Sequence, residues 1–344
     1  NMRSKAFFIN GGAGRVICSI PAFEKYAEET DDDFIIVSEG GTDFYKGHPL
    51  LHNKVYDHWH KDLFVDKIKN RDIETPEPYR IWEYYNQKCN LSEAFDIAIN
   101  KKGKRKLDKP TIYFNSDETI IGKNLIKEVT EKTEKENTIV FQPFGRGVQS
   151  HGNFIIDSSG RSFDFNNVLE FIKKLGKDFG IILMSEFPLN LEAEGINIPV
   201  AQPRDLNIRQ WASIIKESSY FFGCDSVGQH IAYSCNKPGT VVVGSTFAEN
   251  ISYPDYEKFD IQDMGEGKRI YDPIRITMDE VCNRNNDGIM RMNDLIEDVI
   301  IKSIKTNFAK WHNIENNVNK VVKFEQIEKK NTFKLQTGTG IIEK

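Results

Sequence analysis

Arg146, in the run Gln142-Pro143-Phe144-Gly145-Arg146-Gly147, follows directly on an apolar stretch of strand type, Thr138 to Gln142. An arginine on a glycine turn at the carboxyl end of a parallel strand is suited to clamp a diphosphate. Its planar fork of donors matches paired phosphate oxygens, and free loop amides such as that of Gly145 converge there. The same two glycines would equally make an ordinary turn with Arg146 solvated. A second constellation runs from Phe221 to Ala232. Asp225 and Ser226 end an apolar strand and open an amphipathic helix, so they predict an N-cap, with the first-turn amides at Ser226 and Val227 open to an anion. His230 falls in the first two turns of that helix and would point to the same crevice, although a histidine beside Ile231 and Ala232 also suits plain packing. In the third constellation, Val241-Val242-Val243-Gly244-Ser245-Thr246, a buried strand ends in a small-residue loop. Gly244 and Thr246 leave room there for a nucleotide or a sugar, or form a simple turn.

These residues need a parallel sheet to bring them to one edge, and the second half of the chain has the pattern of one. Strands expected at 138–142, 179–184, 198–201, 219–223 and 239–244 alternate with helices at 164–176, 207–217 and 226–235, which favours a parallel sheet with helices on both faces. The first half opens in the same manner. A strand over Lys5 to Asn10 leads through Gly11-Gly12-Ala13-Gly14 into a helix from Val16 to Glu28, followed by a strand over Asp33 to Ser38. Val55 to Trp59 and Thr111 to Asn115 read as further strands, residues 62 to 108 as aromatic-rich helices and loops, and Ile120 to Glu136 as a charged helix. A last helix over Gly288 to Lys310 carries an apolar set at Ile289, Met292, Leu295, Ile296, Val299, Ile300 and Ile304. The polar tail after it offers one short edge strand at Val321, Val322 and Phe324.

The division this implies is a Rossmann-like unit over 1–137, a second over 138–287, and a helix and tail over 288–344 packing back toward the first. At 344 residues the chain exceeds what one core usually fills, which agrees with two units. The formal charge of −5, from 46 basic and 51 acidic side chains, argues against a protein that coats nucleic acid or an anionic membrane as a whole. The five cysteines are widely spaced without metal-ligand spacing, which suits reduced thiols and excludes a structural zinc pattern. No apolar run reaches the length of a membrane span and no cleavage pattern for secretion is visible, so the expected location is cytoplasmic.

Asp225, Ser226, His230, Ala232, Lys237, Pro238, Gly244 and Thr246 resemble, in order and spacing, the signature of the heptosyltransferase-like family of inverting glycosyltransferases, glycosyltransferase family 9. Phe141 to Gly147 resembles its phosphate-side loop, and Gly11 through Ala22 its opening turn. The resemblance implies the α/β GT-B fold, two Rossmann-like domains facing a cleft, the first taking the acceptor and the second a nucleoside-diphosphate sugar. It implies no tightly bound cofactor and no required metal. Two departures are present: Arg15 stands where the family has an acid in the opening turn, and the glycine after Asp-Ser is displaced to Gly228.

Under that resemblance Arg146, the Ser226 and Val227 amides and Thr246 would stabilise charge on the leaving diphosphate, with His230 contacting phosphate or sugar. A base for the acceptor hydroxyl would come from Glu39, Asp43 or Asp117, with Glu39 and Asp43 preferred because they follow a strand end directly. The acceptor would be a hydroxyl of a glycan, a lipid-linked sugar or a modified base. The basic run Lys101 to Lys109 would suit an anionic acceptor, DNA included, or a solvated loop. A sugar-nucleotide epimerase of the same fold, or a protein that binds a sugar nucleotide or glycan without catalysis, are the alternative readings.

Overall fold

The computed structural model describes residues 2–151, 154–157, 159–269, 286 and 288–314. Cys282 and the expected edge strand at Val321, Val322 and Phe324 lie outside them. Two parallel sheets carry the described chain. The first is built from β1 (Lys5–Ile9), β2 (Ile35–Ser38), β3 (Val55–Asp57) and β4 (Asp72–Glu74), in the order β3-β2-β1-β4. Helix α1 (Ala13–Glu29) buries Val16, Ile17, Ile20 and Phe23 on one face of it. Phe7, Phe23, Tyr26 and Phe34 meet there largely edge to face, the geometry ring quadrupoles prefer. Two short helices, α2 (Trp82–Tyr85) and α3 (Leu91–Asn100), complete this layer; Asn90 and Glu93 cap α3 reciprocally.

Helix α4 (Ser116–Thr133) precedes the composition change near 137, yet it belongs by packing to the second sheet. It lies on α6 (Ile208–Glu217), and Gly122 permits the approach, since a Cβ there would stand 2.8 Å from the carbonyl oxygen of Ser213. The second sheet takes the order β12-β11-β10-β5-β8-β9, all parallel. Its elements are β5 (Thr138–Gln142), the hairpin β6 (Val148–His151) and β7 (Phe154–Asp157), α5 (Phe165–Leu175), β8 (Gly180–Leu183), β9 (Val200–Ala201), α6 (Ile208–Glu217), β10 (Tyr220–Cys224), α7 (Val227–Ser234), β11 (Gly239–Val243), α8 (Ala248–Ile251) and β12 (Phe259–Asp263). Strands β5, β10 and β11 are buried throughout, as expected of central strands covered on both faces.

Two expected elements take other forms. Thr111 to Asn115 is not a strand: Tyr113 gives its carbonyl to Arg209, and Asn115 accepts from the Glu118 amide at 2.8 Å as the N-cap of α4. The fourth position of the first sheet goes instead to Asp72–Glu74, paired with Lys5 to Phe7. The final helix, α9 (294–314), starts after a turn at 288–290 and lies on the second sheet. Asn307 reaches Tyr220 and the carbonyls of Gly239 and Lys258, and Ser303 donates to Asp260 at 2.6 Å. Its buried face is Glu297, Ile300, Ile301, Ile304 and Trp311, while Leu295 and Val299 are exposed. Met292, Ile300 and Ile304 of the expected apolar set are buried and Ile289 and Ile296 pack against them, while a glutamate bonded to Asn167 at 3.2 Å occupies a further core position. Among the described residues no helix is long and apolar enough to cross a membrane.

Candidate active site

The carboxyl ends of β1 and β2 and the amino end of α1 meet those of β5 and α7. Gly12 is the N-cap of α1 and makes no side-chain cap bond. A Cβ at Gly12 would lie 2.7 Å from a terminal nitrogen of Arg146, so the missing side chain admits the guanidinium. Arg146 is exposed and makes no hydrogen bond or ion pair with any described residue. Its neighbour is committed, because the Gly145 amide donates to Ser162 Oγ at 2.9 Å; the loop amide expected to be free at Gly145 is spent on the scaffold. Ser162 is held in turn by Asp157 at the root of the hairpin.

The N-terminus of α7 differs from the expected cap. Ser226 is the N-cap residue without a side-chain cap bond, and Gln142, from the end of β5, accepts from the Gly228 amide at 2.9 Å. The displaced glycine is required there, since a Cβ at Gly228 would stand 2.5 Å from Gln142 Oε1. Val227 is half-buried against the cluster shared with α1. The Asp225 side chain is tied to α7 and to the loop after β11. Its carboxylate accepts from Gln229 Nε2 at 3.1 Å and from Thr246 Oγ1 at 2.9 Å, which ties the ends of β10 and β11 together. Thr246 and Ser245 are thereby scaffold residues, Ser245 donating to the Ser159 carbonyl at 2.6 Å. Gly244 packs where a Cβ would meet the Gly160 carbonyl at 2.7 Å.

His230 is buried between the two units. Its Nδ1 lies 2.6 Å from Tyr253 Oη and 3.5 Å from Cys18 Sγ, and the other ring edge faces Gly14 of α1. Burial lowers its pKa from 6.5 to about 4, so the ring is neutral near pH 7. Burial likewise pushes the Cys18 thiol up to about 12, which makes it a packing thiol and not a nucleophile. The depressed histidine couples to stability. As pH falls from 6.5 toward 4 the unfolded chain takes up a proton that the folded chain refuses, so stability present above 6.5 is lost across that window. A His230→Gln variant is expected to show a flatter dependence of its urea midpoint between about pH 7 and about pH 4.5 than the parent chain. Parallel curves for the two proteins would contradict the assigned burial.

Of the acidic candidates, Glu39 continues β2 and its amide donates to the Ile9 carbonyl at 2.9 Å. The next residue, Gly40, packs against the Gly11-Gly12 turn, where its absent Cβ would stand 2.6 Å from the Gly11 carbonyl oxygen. Glu39 is exposed and has no described partner. Asp43 opens a short 3₁₀ turn, Asp43–Tyr45, and pairs with Lys46 at 3.0 Å. Asp117 sits exposed in the first turn of α4. Arg15 folds back onto its own unit: it donates to the Asn10 carbonyl and side chain at 3.0 and 2.7 Å, and lies over the Tyr79 ring at 4.7 Å.

The basic run lies on the surface and is largely ion-paired. Lys101 meets Glu74, Lys102 meets Glu29, Lys104 lies 3.9 Å from Glu93, Arg105 pairs with Glu29 and Asp96, and Lys109 sits 3.8 Å above the Tyr256 ring. Lys106 stays exposed beside these pairs. Among the described residues no group of three His, Cys, Asp or Glu side chains is placed to hold a metal ion. Three residues that shape the site carry no local signal. Tyr253 and Cys18 meet His230 from distant segments, and Gln142 was visible only as a polar side chain closing an apolar strand.

No family model matches the sequence, and no curated protein matches it. Solved structures do. The glycosyl transferase family 9 structure from Veillonella parvula DSM 2008 superposes with a TM-score of 0.63 at 10% identity, covering 90% of this chain and 98% of that one. The E. coli ADP-heptose lps heptosyltransferase II gives 0.55 at 11% identity, over 81% and 96% of the two chains. E. coli heptosyltransferase WaaC with ADP gives 0.50 at 12%, over 81% and 98%. With two parallel sheets, their flanking helices and strand ends meeting between them, the chain has the GT-B fold of two Rossmann-like domains found in these glycosyltransferase structures.

Proposed function

We propose that the protein transfers a glycosyl group from a nucleoside-diphosphate donor, held by the second domain, to a hydroxyl of an acceptor held by the first. The observation that carries this reading is Arg146, a guanidinium with no described protein partner, lying on the donor-side strand end against the bare glycine turn of the other domain. A diphosphate seated between them would receive the planar fork of Arg146 and the amides of Ser226 and Val227 at the start of α7. Charge growing on the leaving diphosphate is what such groups stabilise. His230 would act as a neutral donor. Tyr253, whose hydroxyl keeps its proton because burial raises its pKa well above 10, would donate to Nδ1 in the tautomer that carries its proton on Nε2 for the sugar or a phosphate oxygen.

Asp225 and Thr246 serve indirectly, by fixing the loops that carry these groups, and Gly244 by letting β11 end close to its neighbours. Glu39 is the base we assign for the acceptor hydroxyl, with Asp43 behind it. No resident metal enters this scheme. The test is calorimetry with a panel of nucleoside diphosphates. Arg146→Ala is expected to lower the affinity for the one that binds by about 1–3 kcal/mol, roughly 5- to 150-fold. Unchanged affinity in a folded variant would remove Arg146 from the site. Sugar release from the matching donor that needs an added acceptor supports transfer; isomerised sugar without an acceptor would make the protein an epimerase.

A further inference from the structure

The geometry points to Arg209 as a positioning residue: from α6 of the donor-side domain it holds in place the acceptor-side loop on which Glu39 and Asp43 stand. This rests on the transfer reading above. Arg209 is buried, and its guanidinium is divided among three segments. Nε meets both carboxylate oxygens of Glu118 at 3.0 and 2.8 Å, at the start of α4. One terminal nitrogen donates to the carbonyls of Asp43 and Lys46 at 2.7 and 3.3 Å, and the other to the carbonyl of Tyr113 in the connection between domains. These carbonyls come from the loop after β2 and from the interdomain connection, so one side chain of the second domain satisfies backbone acceptors of the first.

The opposite side of the loop is held by its own domain, where Tyr45 Oη lies 2.6 Å from Ser19 Oγ on α1. The 3₁₀ turn is therefore gripped from α1 and from α6, and its distance from the donor side is set by a planar fork of fixed geometry. A solvated surface pair would not define this distance, because long exposed side chains rearrange freely. A buried guanidinium with its charge matched by Glu118 does, since any displacement of the loop leaves buried carbonyls without donors. The consequence for the reaction is alignment: a base displaced by about 1 Å costs rate without touching donor affinity.

Arg209→Lys keeps the charge beside Glu118 and loses the fork, so the chain should still fold. Hydrogen exchange on the full chain is expected to speed up by about tenfold at the Tyr45, Lys46 and His48 amides, with protection in β10 and β11 unchanged. In turnover assays kcat is expected to fall at least about tenfold while donor KM and nucleoside-diphosphate affinity stay as in the parent. Unchanged loop protection overturns the proposal, as does a loosened loop with unaltered kcat, or a uniform loss of protection across both domains. The exchange measurement needs no substrate, so a parent chain without transferase activity would sink the transfer reading and leave the grip itself measured.

Discussion

Glu118→Gln is expected to destabilise the chain by about 3–5 kcal/mol, because it leaves the buried Arg209 charge without its counter-ion. The two side chains are 9% and 7% exposed, and the Nε to Oε2 distance is 2.8 Å. Glutamine has the shape to stay in place and can still accept one hydrogen bond, which isolates the charge as the variable. The packing nearby does not compensate, since α4 and α6 already touch through Gly122 and Ser213, whose hydroxyl donates to the Glu118 carbonyl at 2.6 Å. Urea denaturation followed by far-ultraviolet circular dichroism reads the loss as a fall in midpoint at constant slope. The double variant Glu118→Gln with Arg209→Met separates charge from backbone. Removing both ions cancels the unpaired charge, but the carbonyls of Asp43 and Tyr113 lose their donors, so only part of the stability should return. A loss under about 1 kcal/mol for Glu118→Gln alone would show the pair to be solvated, as exposed pairs are.

The second sheet was legible because its signals are local. Each central strand is an apolar run of about five residues, and caps such as Asn207 with Gln210 lie within three residues of one another. The first sheet was legible only where it has the same character, at β1, α1 and β2. Its fourth strand reads Asp-Ile-Glu and exists because Lys5 to Phe7 pair with it, a tertiary fact without sequence pattern. The apolar run 111–115 has strand composition and became a connection because Arg209, far along the chain, takes the carbonyl of Tyr113. The pairing of the basic run was hidden in the same way: its acidic partners Glu29, Glu74, Glu93 and Asp96 all precede it in sequence and meet it only in the fold.

At the site, the order strand, glycine turn, arginine and the order strand, Asp-Ser, helix, histidine pointed Arg146 and His230 to the same carboxyl edge of the second sheet. What each does to its neighbours was not readable. Asp225 carries the shape of a cap and instead braces β10 against β11 through Thr246, while Gln142 took over the helix amide. Capping is a contest among nearby acceptors, and the winner here comes from a neighbouring strand. Arg15 donates to the Asn10 carbonyl and lies over the Tyr79 ring, which stiffens the opening turn.

Glu39→Gln is expected to lower kcat by about 10²- to 10⁴-fold, the range over which a general base contributes, while nucleoside-diphosphate affinity and thermal midpoint stay near those of the parent chain. Position is the motive. Glu39 follows the last residue of β2, one residue before Gly40, which touches the Gly11-Gly12 turn, and Gly12 in turn touches Arg146. The carboxylate is exposed, without a described partner, at the rim where acceptor and donor would meet. Asp43 shares the loop but spends its carboxylate on Lys46 at 3.0 Å, so Asp43→Asn should cost far less. Glutamine preserves the size and polarity of Glu39 and removes only its capacity to take a proton, so the loss should fall on kcat rather than on binding. Full turnover by Glu39→Gln, with Asp43→Asn inactive in its place, would move the base four residues along the same loop, to the residue whose carbonyl Arg209 holds.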